Sequence, residues 1–569
     1  MTKRPVGAFS LVLHSHLPYC RKAGMWPHGE EWIHEALAET YIPLLDALYA
    51  LRDEGVATRL TISLTPVLVE QLADPDIVAH FERYLTDEQE AAEADRERAL
   101  SSGQTQLAEL ADYYIRWHEG VRTSFIERYG RNLVAAFRTL QNEGRVEIST
   151  CAATHGYLPL LARDSSIYAQ IRTAVTSYQR HFGRSPSAIW LPECAYRPAY
   201  QTVDGTVRPA LEEFLSAQGL KVFFVESSAI EGGRSSAMRG GLLPGAYEVA
   251  RRRYVLTGNV EAEMPAGRGT TFKAYYAKGS EPMAVPPVGV IGRNNRTSMQ
   301  VWSADMGYPG DAAYREFHRK DDVSGMQYWR VTGPKVDLGH KELYDPAAAQ
   351  ERVASHAEHF AALVVQEAQT YADQTGGFGL VSSHYDTELF GHWWFEGVEW
   401  IKQVLRRLAT DDRIELTTAS SFVAEHASGE AIALPEGSWG AGGTHWTWDN
   451  PDTHWMWEPI HTAESRMEGI VAAHLSPSAD EQIVLNQLAR ELLLAESSDW
   501  PFLVTTGQAK EYAVERFRSH LARFEELASA LEEGVGPVQA ARAQVLWELD
   551  KVFPDVDYRW FAARQGRAD

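Results

Sequence analysis

Four apolar runs of strand length in this chain break off in clusters of polar groups, and this pattern constrains the fold more than any other feature. The run FSLVL passes into His14-Ser15-His16-Leu17-Pro18. Residues 145–150 run into Cys151, Thr154, His155, Gly156 and Tyr157. Residues 187–191 end in Pro192-Glu193-Cys194, and residues 378–383 in His384-Tyr385-Asp386-Thr387-Glu388. Between them lie segments with helical spacing, such as Ile33, Leu37, Tyr41, Leu44, Leu45 and Leu48 within 31–54. Further strands are expected at 58–64, 221–225, near 287–291 and at 413–416. Further helices are expected near 120–142, 165–182, 207–219, 347–370 and 396–409. Strand–helix alternation over about 420 residues argues for an α/β fold with a parallel sheet and helices outside it. Polar groups at the C-terminal ends of parallel strands converge on one face when the sheet closes, so their placement favours a barrel.

Three segments depart from the alternation. Asp87–Leu100 is charged and Ala-rich and reads as a solvated helix. Residues 229–285 are rich in Gly and Arg, and an excursion of that length in an enzyme reads as a lid. Residues 427–450 form a Gly- and Trp-rich loop. From about 460 the pattern is helical to the end, which suggests a C-terminal helical domain.

Composition narrows the function. With 54 Lys+Arg against 77 Asp+Glu, the net charge of −23 argues against general binding to nucleic acid or an anionic membrane. Three cysteines, Cys20, Cys151 and Cys194, make no disulfide framework and no CxxC pair, which points to a reducing, cytoplasmic setting without a structural zinc. The first twenty residues lack the pattern of a signal peptide, and no apolar stretch reaches the length of a membrane span. There are 17 tryptophans, several in Gly-rich loops rather than apolar runs. Exposed aromatic faces stack on flat partners, and the charge favours sugars over nucleobases.

Glu193 and Asp386 each follow a strand directly. Paired carboxylates are the minimal machinery of glycoside chemistry. The bland alternatives are an ion-paired strand cap for Glu193 and a helix N-cap for Asp386. Glu388 is a rival acid expected to face away. His14-x-His16, completed by His155 and Asp386, also fits the ligand set of barrel metallohydrolases.

At these residues the chain resembles glycoside hydrolase family 57 and, within it, the branching-enzyme-like subgroup. HSHLP, ATHGYLP, WLPECAYRP and HYDTELFGHWWFEG look like the family's motifs, in order. QVWSADMGYPGD at 300–311, GSWGAGGTHWTWDN at 437–450 and RELLLAESSDWPF at 490–502 extend the match over nearly the whole chain. The resemblance implies an incomplete (β/α)7 barrel over 1–420 with a helical insertion near 95–140. It implies a C-terminal helical domain over 421–569 that includes the loop 437–450. It implies Glu193 as nucleophile and Asp386 as acid/base, with their carboxyls about 5–5.5 Å apart as retention requires. It further implies that His14, His16 and His155 contact the donor sugar rather than a metal. Trp302, Trp439 and Trp448 match glucan-stacking tryptophans, though each could instead be a core residue. Asp499 matches a residue reaching in from the C-terminal domain. The implied reaction needs no cofactor and takes an α-1,4-glucan as donor and acceptor, acting as a monomer or small homo-oligomer.

Two departures from the family pattern bear on the balance between transfer and hydrolysis. The lid region upstream of QVWS is longer than in the family. Tyr275-Tyr276 stand about where the family has a Tyr-Gly pair, which makes Tyr276 a candidate contact, and Tyr254 is a candidate for the tip tyrosine. After the 221–225 strand, Glu226-Ser227-Ser228 lacks the family's histidine. A glucan hydrolase or 4-α-glucanotransferase is therefore an alternative. A metal-dependent hydrolase and a non-catalytic glucan-binding protein are remoter ones.

Overall fold

The computed structural model describes residues 4–234, 263–264, 269–279, 286–303, 306–333 and 335–564. The 229–285 excursion lies largely outside these residues, and Tyr254 lies wholly outside them.

Seven strands follow the sheet in chain order: β1 (Gly7–Ser15), β2 (Leu60–Leu64), β3 (Val146–Ser149), β4 (Ala188–Ile189), β5 (Val222–Val225), β6 (Gly289–Gly292) and β7 (Gly379–Asp386); the expected strand near 413–416, Ile414–Leu416, pairs parallel with the start of β1. Parallel ladders join β7 to β1, β1 to β2 and β2 to β3, and then β4 to β5 and β5 to β6. A single parallel bridge, Thr150 to Ile189, links β3 to β4. The Asn294 N–H on the Ser382 carbonyl, at 2.7 Å, links β6 to β7. The strands thus follow one another in chain order and return to the first, with ladders interrupted at two seams. All nine residues of β1 are buried, as expected of a central strand covered on both faces. Gly7 lets β1 and β7 approach closely, because a Cβ there would meet the Gly379 carbonyl at 2.6 Å.

The intervening helices match the expected alternation. Pro346–Thr375, for example, starts on Asp345, whose side chain accepts from the Ala347 and Ala348 N–H groups, and stops at Gly376 with φ 70°. Three departures have local causes. The segment expected as one helix over 31–54 contains a π-turn at Leu37–Tyr41. The helix expected over 120–142 breaks at Gly130 and Arg131, both left-handed, and restarts on an Asn132 cap at Leu133. The inserted helices begin at Pro75 rather than near 95 and form a hairpin, Pro75–Ser101 and Thr105–Thr123. The charged run 87–100 is the outer part of that hairpin, with Ala92, Asp95 and Ala99 buried on one side.

The sheet-forming chain passes residue 420. Ala431–Ile432 pairs with Ala274–Ala277, which lies antiparallel on β6. Beyond it come the helices Trp457–Ala473, Ala479–Ala495, Asp499–Thr506, Lys510–Glu533 and Pro537–Leu549. Their core of Leu485, Leu488, Leu492, Phe524 and Leu527 continues onto Val67 and Ala153 of the sheet region. The turn between the second and third of these helices reaches the strand ends. Ser497 bridges to Gly156, and the Ser498 N–H donates to the His155 carbonyl at 3.1 Å.

Candidate active site

The strand ends converge. His14 and His16 close β1, and their neighbour across the mouth is His155. The rings of His16 and His155 stack with centroids 4.0 Å apart, and His14 stacks on Trp190 at 4.9 Å. His14 Nε2 and His155 Nε2 lie 3.1 Å apart, a contact two neutral rings make when one donates and the other accepts. Burial, and then the neighbouring imidazoles, hold the pKa values of both rings well below 6.5. His16 differs. Burial pulls its pKa down, but Asp499, with Glu388 and Glu193 behind it, outweighs burial and the net shift is upward. Its Nε2 lies 2.8 Å from Asp499 Oδ1, and the Ser497 hydroxyl donates to Asp499 Oδ2 at 2.6 Å. The C-terminal segment therefore supplies an anchor to the barrel mouth.

Glu193 sits on a turn with φ 60° and ψ 26°, and Cys194 after it has φ 49°. Non-glycine residues in this region carry strain of order 1–3 kcal/mol each, held by their surroundings. The loop at 437–443 supplies the hold. The Trp439 N–H donates to the Glu193 carbonyl at 3.0 Å, and its indole Nε1–H to Glu193 Oε2 at 2.5 Å. Trp439 in turn packs against Trp190 at 5.0 Å and under Arg293 at 5.5 Å. Arg293 is ion-paired with Glu226 at 2.6 Å, so the acid after β5 acts on the site through that arginine.

Asp386 ends β7 and is only partly covered. Its side chain does not cap the short helix that follows, which removes the capping explanation for this residue. Among the described residues its carboxyl has no hydrogen-bond partner. Burial first, then the charges of Glu193 and Glu388, push its pKa well above the usual carboxylate range. Burial also pushes Glu193 up, to about 7, with the Trp439 donor and His16 opposing it. Both acids are thus held toward their protonated forms, and the charge of Glu193 adds to the rise of Asp386. A neighbouring charge is only the second cause for Asp386; loss of water is the first.

Several expectations are corrected. Trp448 is 1 % exposed and stacks on Tyr157 at 4.4 Å, so its face is not open to a sugar. Its ring occupies the space that a Cβ on Gly440 would need, and it shapes the Trp439 loop from behind. Tyr276 pairs with Gly289, the first residue of β6, at the opposite end of that strand from Arg293. Register therefore places it away from the mouth. Glu388 does not face away from the site. It is buried beside His16, whose backbone N–H it accepts at 3.2 Å, and it also accepts from the Tyr41 hydroxyl. Trp302 is half-buried, with its indole N–H on the His384 carbonyl at 3.3 Å.

The expected set of His14, His16, His155 and Asp386 does not assemble: among the described residues the groups here whose ligand atoms lie within 4.8 Å of one another are His14, Cys151 and His155, and His16, His155 and Asp499, without Asp386. Both ring nitrogens of His14, His16 and His155 already have protein partners: Ser63 and His155 for His14, Thr65 and Asp499 for His16, Ser498 and His14 for His155. Sequence reasoning missed Tyr41, Trp190, Arg293 and Ser498. Only Trp190 and Ser498 lay inside quoted motifs, where adjacency to Glu193 and Asp499 was the available signal.

Two strand-end acids whose proton affinities are both raised, a strained turn under one of them, and half-open aromatic walls fit a glycoside-processing site. Residues 10–435 match the model of glycosyl hydrolase family 57, and the chain belongs to that family. Residues 459–561 match the model described as 1,4-alpha-glucan branching enzyme, C-terminal. The chain is 44% identical over 561 residues to a 1,4-alpha-glucan branching enzyme of Thermococcus kodakarensis, covering 97% of this chain and 78% of that protein. The crystal structure of a GH57 branching enzyme from the same archaeon, in complex with glucose and additives, superimposes with a TM-score of 0.86 at 42% identity, covering 99% of this chain and 97% of that one. An alpha-amylase structure from Thermotoga maritima superimposes with a TM-score of 0.80 at 30% identity, covering 98% and 99%.

Proposed function

We propose that this chain is a 1,4-α-glucan branching enzyme. In this reading Asp386, protonated, donates to the leaving oxygen of an α-1,4 bond while Glu193 attacks the anomeric carbon. The shortened chain departs, and a glycosyl ester on Glu193 remains. Asp386, now a base, takes the proton of an acceptor's 6-hydroxyl as that oxygen displaces Glu193. Two inversions give net retention and an α-1,6 branch. Trp439 steadies the carboxylate through its indole N–H and presents a ring at the mouth, while Trp302 lies on the half-open wall near β7. His14 and His155, neutral, suit hydroxyl recognition, and Asp499 favours the cationic form of His16. A place in glycogen synthesis and a cytoplasmic address belong to the same reading, the latter supported by three free, buried cysteines.

The observation that carries the chemistry is the pair of acids at two strand ends, Glu193 fixed on its turn by Trp439 and Asp386 with no hydrogen-bond partner among the described residues. Transfer rather than hydrolysis is supported by the two matched models along one chain and by the relative at 44% identity. The Thermotoga structure favours a second reading, an α-glucan hydrolase. Amylose incubated with the purified protein separates them. Newly debranchable chains with few new reducing ends establish transfer. Reducing ends rising alone establish hydrolysis.

A further inference from the structure

Glu388 lies two residues beyond Asp386, is 4 % exposed, and takes no part in the bond-making steps above. Its Oε1 accepts from two donors on different elements: the Tyr41 hydroxyl and the His16 backbone N–H. Tyr41 is the last residue of the π-turn at Leu37–Tyr41. One inserted residue turns a helix surface by about 100°, so the π-turn decides which side chain faces Glu388. The same turn carries Glu39, ion-paired with Arg315 at 2.7 Å and 2.9 Å from His392 Nδ1. Gly391, with φ 102°, rests on the Glu39 carbonyl, where a Cβ would collide. The segment after Asp386 is thus fastened to the π-turn at Tyr41–Glu388, at Gly391 and at His392.

We propose that Glu388 is a positioning residue of the reaction, a fixed third carboxylate that sets the protonation of Asp386 and holds the His16 end of β1 in place. The inference rests on Asp386 being the proton donor. The groups around it are named from every side. His16 and Tyr41 touch it, and Asp386 stands on its own strand. Glu193 faces Asp386 and His16 from the turn after β4, Arg293 faces Asp386 from the end of β6, and Asp499 reaches His16 from the C-terminal segment. A negative charge beside Asp386 disfavours its ionisation. Burial pushes Glu388 up to about 7, against the Tyr41 hydrogen bond and His16. The Tyr41 hydroxyl and the His16 N–H hold the Glu388 carboxylate in place two residues beyond Asp386, so its charge bears on Asp386 once it ionises.

The pH dependence of kcat/KM on amylose tests this with Glu388→Gln, Glu388→Asp and Tyr41→Phe. For Glu388→Gln the alkaline limb moves to lower pH by about one unit, kcat falls about 10-fold and KM stays within about twofold. Glu388→Asp restores part of that limb. Tyr41→Phe removes a donor that favours the Glu388 anion, so its limb moves the same way by less, and it serves if Glu388→Gln fails to fold. An alkaline limb unmoved in Glu388→Gln, or in Tyr41→Phe where the Gln variant does not fold, overturns the proposal, whatever happens to kcat or Tm. Full turnover in Asp386→Asn would instead overturn the assignment of Asp386, which keeps the two failures apart.

Discussion

Two neighbouring regions at the strand ends draw carboxylates out of water and drive them in opposite directions. On the π-turn, Glu39 has Arg315 and His392 for partners; burial raises its pKa, but Arg315 and His392 together outweigh burial and the net value falls to about 2. A few residues away at the mouth, Glu193, Asp386 and Glu388 have no ion-pair partner among the described residues, and all three rise. Burial is the first cause in every case. The difference is the cation. A paired buried acid is a fastening. An unpaired one keeps a proton within reach of neutral pH, which is what acid–base chemistry requires.

Removing the mouth acids gives the largest contrast. Glu193→Gln or Asp386→Asn lowers kcat at least about 10⁴-fold on amylose, while neither lowers the melting temperature at neutral pH. Arg315→Ala does the reverse. It strands Glu39 in the interior and lowers stability by about 3–5 kcal/mol in a denaturant titration, with a far smaller change in turnover per folded molecule. Trp439→Phe is intermediate. Loss of one hydrogen bond to a charged group, of about 1.5–3 kcal/mol, lowers kcat about 10–100-fold. It also moves the acid limb of kcat/KM to higher pH, because the indole N–H favours the Glu193 anion.

The smallest effect is on the pH dependence of stability, and its sign differs between the two regions. The Glu39 pKa is depressed on folding, so its stabilisation is present above its ordinary value of 4.5 and is lost as pH falls toward 2. The Glu193 pKa is raised, so its contribution is present below 4.5 and lost as pH rises through about 7. Glu193→Gln therefore gains melting temperature over the parent at pH 8 and gains nothing at pH 4, in thermal scans at both values.

The comparison also marks what could be read from the sequence. Strand-end clusters located Glu193, Asp386 and the histidines, because a closed parallel sheet gathers such ends on one face. Helix–strand alternation gave the α/β class for the same reason. The contact between Tyr41 and Glu388 was illegible, and Glu388 was expected to face away. Their meeting depends on a π-turn inside a segment whose apolar spacing reads as a plain helix. Trp448 was misread because a Gly-flanked tryptophan has one appearance in sequence, whether it faces a sugar or fills the space beside Gly440. Tyr276 was misread for want of register: its pairing with Gly289, not its identity, decides which end of the barrel it occupies.

In this reading Glu193, not Asp386 or Glu388, attacks the sugar. Incubation with a fluorinated α-glucosyl donor that slows ester breakdown, followed by peptide mass mapping, tests it directly. The added sugar mass is expected on the peptide containing Glu193, and none in Glu193→Gln. A label on the peptide carrying Asp386 and Glu388 would contradict it.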